Sequence, residues 1–265
     1  MIGCIIAAAG YGSLRMSGDR PLPKVVELFA GVPLIGCALR TAERAGIIDI
    51  AVVVNRRDAD LVQEAIVSSK RIGAIFRVPS LIVQPERRGS ADAVLHALPT
   101  VQSWGVSDVL VMYGDMPNWR PQTLKRLMRA HHPGMVLTMV SAQRTPEFPM
   151  LDRYGRIIRD DVGGIDRVME AADSRVSDAI LAIDRVNPSL WIWNVEWLKR
   201  SIPKIPPFKK LDGYPDELHM PPLIEIATSQ GRLINELALN ELESVEALGV
   251  NTIADLHGLR DLKRR

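Results

Sequence analysis

Three short stretches hold residues whose types and spacing could do chemistry. Near the amino terminus, "IIAAAGYGSLRMSGDRPLPK" runs from apolar residues into Gly10 and Gly12, passes Arg15, and closes on Lys24 after a proline. An apolar strand that ends in a glycine loop exposes backbone N–H groups at the carboxyl edge of a sheet, where open α/β sheets bind ligands. Phosphate is the natural guest, because glycines allow close approach and two cations, Arg15 and Lys24, can neutralise the oxygens of a polyphosphate. Two named phosphate motifs do not fit. Arg15 stands where GxGxxG requires its third glycine, and nothing matches GxxxxGK[ST]. Taken alone, the loop also reads as a surface loop with ordinary charges.

The second stretch, "VMYGDMP", sets Asp115 just past an apolar run. A carboxylate there can hold Mg2+, a hard ion that prefers one or two carboxylates plus phosphate oxygens. By itself Asp115 also reads as a turn residue before the helix expected from Pro121. In the third, "QPERRGSADAVLHAL", Gln84 ends a strand while Gly89 and Ser90 introduce a helix at Ala91. An amide can donate to and accept from a base, and Gly89 and Ser90 offer N–H groups near a ligand, with Ser90 equally a helix N-cap. Arg87 and Arg88 beside them read as triphosphate contacts or as a solvated pair.

These residues need a scaffold that brings strand ends together. Apolar runs of strand length recur at Ile2 to Ala8, Ile47 to Val54, Ala74 to Val78 and Val109 to Tyr113. They alternate with helical patterns over Pro33 to Ala45, Ala59 to Ser68, Ala91 to Leu98 and Pro121 to His131. Such alternation predicts an α/β fold with a mainly parallel sheet and helices on both faces. "CIIAAA" and "DVLVMYG" are apolar at nearly every position, as a strand covered on both sides must be. After Gly134 the rhythm changes. "MVLTMVSA" reads as a strand, "DRYGRIIRDDVGGIDRVME" as two strands around a turn, "VNPSLWIWN" as one strand and "VEWLKRSI" as a short helix, so this portion is expected to be mixed sheet. "PKIPPFKKLDGYPDELHMPP" is too long for a simple connector and reads as a lid or a partner contact. A helix over Leu223 to Gln230 and a strand over Arg232 to Leu239 follow.

The 265 residues can bury a core as one large domain or two small ones, and a net charge of +2 supplies no argument for nucleic acid or membrane. Cys4 and Cys37 lie in apolar settings without CxxC spacing, which predicts buried free thiols in a reducing cytoplasm. The opening apolar run is too short to span a bilayer and leads straight into the glycine loop, so a buried strand explains it better than a signal peptide. The Trp-rich "LWIWNVEW" suits either a core or an interface, with core preferred, which leaves room for a homo-oligomer.

The motifs "AAAGYGSLRM...PLPK", "QPERRGSADA", "YGDMP", "YGRIIRDD" and "EALGVN" stand in the order found in one family. The chain resembles the sugar-1-phosphate nucleotidyltransferases, most closely the uridyltransferase domain of N-acetylglucosamine-1-phosphate uridyltransferases, from Ile2 to about Leu256. The resemblance implies a Rossmann-like fold of the nucleotide-diphospho-sugar transferase type. It implies a single domain over 1–265, with 1–133 mainly binding nucleotide and 134–256 mainly binding sugar. It also implies Mg2+ as cofactor, and UTP and a sugar 1-phosphate, N-acetylglucosamine 1-phosphate above others, as substrates. By the same resemblance Ala8, Gly10, Gly12, Arg15 and Lys24 look like the loop around the phosphates, with Arg15 and Lys24 catalytic. Gln84, Gly89, Ser90 and Gly114 look like nucleotide contacts, Asp115 and Asn251 like the Mg2+ ligands, and Gly155, Glu170 and Asn187 like sugar contacts.

The nucleophile of such a reaction is already an anion, so no general base is required; His96, His131 and His132 read as helix-face residues. The chain departs from the family pattern in places. Leu14 is inserted before Arg15, the stretch from Met16 to Lys24 is about two residues longer, Ala171 and Ala172 replace a lysine that often follows Glu170, and "HMPPL" replaces a Thr-Asp pair. The bifunctional relatives continue into a long helix and hexapeptide repeats, so an acetyl-transfer activity is not expected of this chain.

Overall fold

A computed structural model of the chain describes residues 1–10, 13–17, 20–171, 173, 176–208 and 216–262, the side chains of 13–17 and 20 excepted. In chain order the elements begin with β1 (Ile2–Ala7), the ribbon strands β2 (Ser13–Ser17) and β3 (Arg20–Pro23), the short pair β4 (Leu28–Phe29) and β5 (Val32–Pro33), and α1 (Leu34–Ala45). Then come β6 (Ile50–Asn55), α2 (Ala59–Arg71), β7 (Ser80–Gln84), α3 (Ser90–Ser103), β8 (Asp108–Tyr113), α4 (Pro121–Ala130) and β9 (Leu137–Gln143). The chain continues through β10 (Gly155–Arg159), β11 (Ile165–Met169), α5 (Asp178–Leu181), β12 (Arg185–Asn187), β13 (Trp191–Asn194), α6 (Val195–Ser201), α7 (Pro222–Ser229), β14 (Ile234–Ala238) and α8 (Ile253–Leu262).

Ten strands form one sheet in the order β11-β10-β12-β9-β13-β8-β1-β6-β7, with β14 paired to β9. β7, β6, β1 and β8 run parallel, joined by helical crossovers. From β1 the chain winds outward to β6 and β7, while β8 returns to the other side of β1. That reversal places a crevice outside the carboxyl ends of β1 and β8. β13 then runs antiparallel between β8 and β9, and β12, β10 and β11 add further antiparallel pairs, the mixed portion expected after Gly134.

Successive residues of β1 serve opposite layers. Cys4 and Ile6 join the core under α1, α2 and α4, whereas Ile5 joins the core under α3, α6 and α7. Strands buried on both faces need apolar residues at every position, and β6 is buried throughout. Trp191, Trp193 and Trp197 lie in the second core, Trp193 and Trp197 stacked with ring centres 5.5 Å apart, so the Trp-rich stretch is interior. Cys4 and Cys37 are buried and are not joined in a disulfide.

Three elements differ from the sequence expectation. Ala74 to Val78 is a loop, and the strand beside β6 is Ser80–Gln84; the apolar pair Ala74 and Ile75 packs into the core from a turn, which periodicity alone does not distinguish from a strand. α3 runs on through Pro99 to Ser103, held by buried Val94, Ala97, Leu98 and Val101. "VNPSLWIWN" is two strands, interrupted at Pro188 to Leu190, where Ser189 adopts φ 61°. No helix among the described residues is long and apolar enough to cross a membrane.

Candidate active site at the carboxyl edge of the sheet

Parallel registration brings the two key strand ends level: Ala7 lies opposite Tyr113, and the Gly114 N–H donates to the Ala7 carbonyl at 3.0 Å. Ala8 is buried and donates its own N–H to the Val53 carbonyl at 2.8 Å, so the loop beyond it leaves β1 at a fixed point. A Cβ at Gly114 would come within 3.1 Å of the Ile35 side chain, whereas one at Gly10 would meet no described residue within 4 Å. Gly12 lies outside the described residues, as does the side chain of Arg15, although the Arg15 backbone pairs with Leu22 in the β2–β3 ribbon.

Lys24 stands directly after β3 and reaches the end of β8. Its Nζ donates to Asn251 Oδ1 at 2.7 Å and forms an ion pair with Asp115 Oδ2, both acidic and basic side chains being largely buried. Residues separated by 227 positions in sequence therefore converge on one point. Asp115 Oδ1 is buried with no hydrogen-bond partner among the described residues. A buried carboxylate oxygen left unpaired is costly unless something else engages it. One carboxylate and one amide oxygen facing the same point are hard donors that suit Mg2+ with phosphate oxygens completing its shell. Asp115 and Asn251, the two residues expected from the resemblance, are brought to one point.

The Asn251 loop is held from several sides. The Val250 N–H donates to the Asp115 carbonyl at 2.9 Å, and the Gly249 N–H to Tyr154 Oη at 3.0 Å. Asp255 Oδ2 accepts the Asn251 and Thr252 N–H groups at 2.9 and 2.8 Å, and the Asp255 N–H donates back to Thr252 Oγ1. This is a capping box that starts α8. Burial opposes charge on Asp255, yet hydrogen bonds from Arg153 and from the two amides hold its carboxyl below the usual range.

The segment from Gln84 to Ser90, expected to contact the nucleotide, is built differently from the sequence reading. Gly89, not Ser90, is the N-cap of α3; its φ is +89°, and a Cβ would lie 2.3 Å from the Leu218 carbonyl oxygen. The segment around Leu218 lies across it. Leu218 accepts from the Ala91 N–H and donates to the Arg88 carbonyl, each at 2.8 Å, and Ser90 Oγ accepts from the Met220 N–H at 3.1 Å. The far end of the Pro-rich excursion, at Leu218 and Met220, is thus bonded to the loop. Gln84 does end β7; it is buried and donates its amide to the Gly89 carbonyl at 3.2 Å and to Asp92 Oδ2 at 2.6 Å. Arg87 turns to Asp58 at 2.5 Å.

Gly155, Glu170 and Asn187 gather where β10, β11 and β12 meet. Gly155 and Asn187 are cross-strand partners, and a Cβ at Gly155 would lie 2.7 Å from Val168 and 3.2 Å from Glu170 Oε1. Only glycine lets that carboxylate lie so close. Enclosure by the surrounding walls, then the charge of Asp173, pushes the Glu170 carboxyl up, although the residue as a whole is exposed. Asn187 Oδ1 accepts from the Ser189 N–H and from Trp191 Nε1, both at 3.1 Å, while its Nδ2 is buried without a partner among the described residues.

Sequence reasoning passed over Tyr113, which links the two clusters. Burial above all, together with the nearby carboxylates of Glu170 and Asp115, pushes its phenol up to about 12, against hydrogen bonds with Ser90 and Ser189. It also missed Arg153, Tyr154 and Asp255, although Thr252-x-x-Asp255 has capping-box spacing that was legible. His131 is no helix-face residue: buried beyond α4, it faces Asp108 at 3.3 Å and Thr138 at 2.8 Å on the opposite edge of the sheet. Among the described residues no three or more His, Cys, Asp and Glu gather as a metal-binding group, so the candidate cation donors remain one carboxylate and one amide.

The chain is similar to known proteins over most of its length. Residues 4–198 match the MobA-like NTP transferase domain. The "Bifunctional protein GlmU" of Nitrosococcus oceani is 31% identical over 252 residues, covering 94% of this chain and 49% of that protein. Its counterpart from Bordetella petrii is 33% identical over 254 residues, covering 95% and 50%. The chain thus spans about half the length of the curated relatives it matches. Among solved structures, a UDP-glucose pyrophosphorylase complexed with UDP-glucose superposes with a TM-score of 0.70 at 17% identity, covering 100% of both chains. A CMP:2-keto-3-deoxy-manno-octonic acid synthetase complexed with CTP gives 0.65 at 16%, covering 99% and 98%. These two likenesses concern the fold. With its family profile matched from the first strand to α6, the chain belongs to the MobA-like NTP transferase domain family.

Proposed function

We propose that the chain transfers a uridylyl group from UTP to a sugar 1-phosphate, N-acetylglucosamine 1-phosphate above others, in a Mg2+-dependent reaction that yields a UDP-sugar and pyrophosphate. The observation that carries this reading is the convergence of Lys24, Asp115 and Asn251 at the β1–β8 crevice, with Asp115 Oδ1 buried and unpaired among the described residues. A phosphate oxygen of the sugar phosphate attacks the α-phosphorus of UTP; that P–O bond forms as the bond to the bridging oxygen of pyrophosphate breaks. Mg2+, when bound, draws negative charge from the phosphate oxygens. Asp115 and Asn251 would hold it, and Lys24 and Arg15 supply fixed positive charge to the triphosphate at two further points. Ala8, Gly10, Gly12 and Gly114 let the backbone approach the phosphates.

Residues 1–133 take the nucleotide and 134–256 the sugar, within one domain over 1–265. Gly155, Glu170 and Asn187 form the sugar end, where the unpaired Asn187 amide is a donor suited to a substrate carbonyl. A cytoplasmic setting, where buried cysteines stay reduced, goes with this reading. The commitment of the Gln84 amide to Gly89 and Asp92 favours base reading by the Gly89–Ser90 backbone rather than by that side chain. Transfer from another nucleoside triphosphate or to another hexose phosphate is for that reason the second reading. Pyrophosphate release, screened over four nucleoside triphosphates and a panel of sugar 1-phosphates with Mg2+, is expected to peak with UTP and N-acetylglucosamine 1-phosphate. Thermal stabilisation by UTP without turnover for any pair would instead identify a non-catalytic nucleotide-sugar binder.

A further inference from the structure

Four consecutive N–H groups, from Gly249 to Thr252, find acceptors outside their own loop: Tyr154 Oη, the Asp115 carbonyl, and Asp255 Oδ2 twice. A loop so fully bonded has little freedom to turn the Asn251 side chain away from Lys24 and Asp115. Asp255 is the hub of this arrangement. One of its oxygens binds the two amides, and the other accepts from Arg153 at 2.6 Å. Tyr154, next in sequence, donates to the Ala247 carbonyl at 2.8 Å while receiving the Gly249 N–H. Gly155, next again, floors the sugar end beneath Glu170. Three adjacent residues therefore tie the Asn251 loop to the place where β10 begins.

We propose that Asp255 is a positioning residue for Asn251, and that Arg153 and Tyr154 extend its hold so that the cation end and the sugar end of the site are set by one bonded cluster. The inference rests on the reading of Asp115 and Asn251 as cation ligands. Asp255 itself touches no reacting atom. Its carboxylate acts through the backbone of Asn251, as outer partners of metal ligands do when they fix a ligand's orientation.

The test uses Mn2+ as the probe, followed by electron paramagnetic resonance on the whole chain with UTP present, alongside UTP affinity without metal and a thermal melt. Asp255→Ala is expected to weaken Mn2+ binding about tenfold, the lower end of what outer-partner changes cost in metal affinity. UTP affinity without metal should stay at the wild-type level. Asp255→Asn keeps an oxygen for the two amides and is expected to restore most of the Mn2+ affinity, a rescue that mere structural support would not produce. Should Asp255→Ala fail to fold, Tyr154→Phe carries the same expectation, weaker Mn2+ binding with unchanged metal-free UTP binding. Wild-type Mn2+ affinity in the folded variant, with Asn251→Ala still impaired, overturns the positioning role alone. If Asn251→Ala also binds Mn2+ like wild type, the ligand reading is wrong and this proposal goes with it.

Discussion

At the scale of single residues, the site is governed by which charges face one another. The Lys24 ammonium sits between Asp115 and Asn251, where a divalent cation would find its oxygens. Replacing Lys24 by methionine removes a competing cation, so the nucleotide-free chain is expected to bind Mn2+ more tightly. Turnover is expected to fall by about a hundredfold or more, since a preorganised charge on the triphosphate is lost. Mn2+ titration and pyrophosphate release measure the two opposite effects, and weaker metal binding would refute the competition. Asp115→Ala should cut turnover similarly while weakening Mn2+ binding. At the proposed sugar end, Asn187→Asp keeps an oxygen for Ser189 and Trp191 but turns the inward donor into an acceptor. The KM for the sugar phosphate is expected to rise about tenfold, the worth of one hydrogen bond of roughly 1.5 kcal/mol, with the KM for UTP unchanged. Lys24 and Asp115 could be singled out from their own short patterns of distinctive residues, whereas Asn251 entered only through the family resemblance carried by "EALGVN". Tyr113 was hidden because an aromatic residue ending an apolar strand looks like ordinary core.

Among elements, the start of α3 shows how a loop is shaped by what covers it. Gly89 is required twice, by its positive φ and by the Leu218 carbonyl where a Cβ would stand. Gly89→Ala is expected to destabilise the chain by about 1–3 kcal/mol, the usual cost of a strained backbone position held in place. A thermal melt and the KM for UTP both report on it; an unchanged melt would mean that Leu218 moves freely aside. The glycine was visible in sequence, but its reason lay in a segment more than a hundred positions away. Element boundaries failed for similar causes. Nothing local to Ala74 and Ile75 says whether an apolar pair packs from a strand or from a turn, and Pro99 ends a helix only where packing does not hold both sides.

In the whole molecule, contacts between distant parts decide stability as well as geometry. Arg153 and Asp255 join the entry of β10 to α8 across 102 positions. The Asp255 carboxyl is held below its usual range, so its contribution is fully present above the ordinary aspartate value of about 3.9 and is lost as pH falls through the lower folded value. Arg153→Leu is expected to flatten that acid-side loss. Urea midpoints of wild type and variant between neutral and strongly acidic pH check it; parallel curves would discount the pair. Period and composition alone determined that this is an α/β chain, that β1 and β8 are covered on both faces, and that Gly10 and Asp115 lie at strand ends. Hydrophobic alternation and glycine placement are local properties, and they are written in consecutive residues. Only the tertiary structure decided that Asn251 meets Lys24, that Leu218 closes over Gly89, and that Asp255 holds the loop between them, because each depends on how the sheet is wound and on which remote segment returns to the same edge.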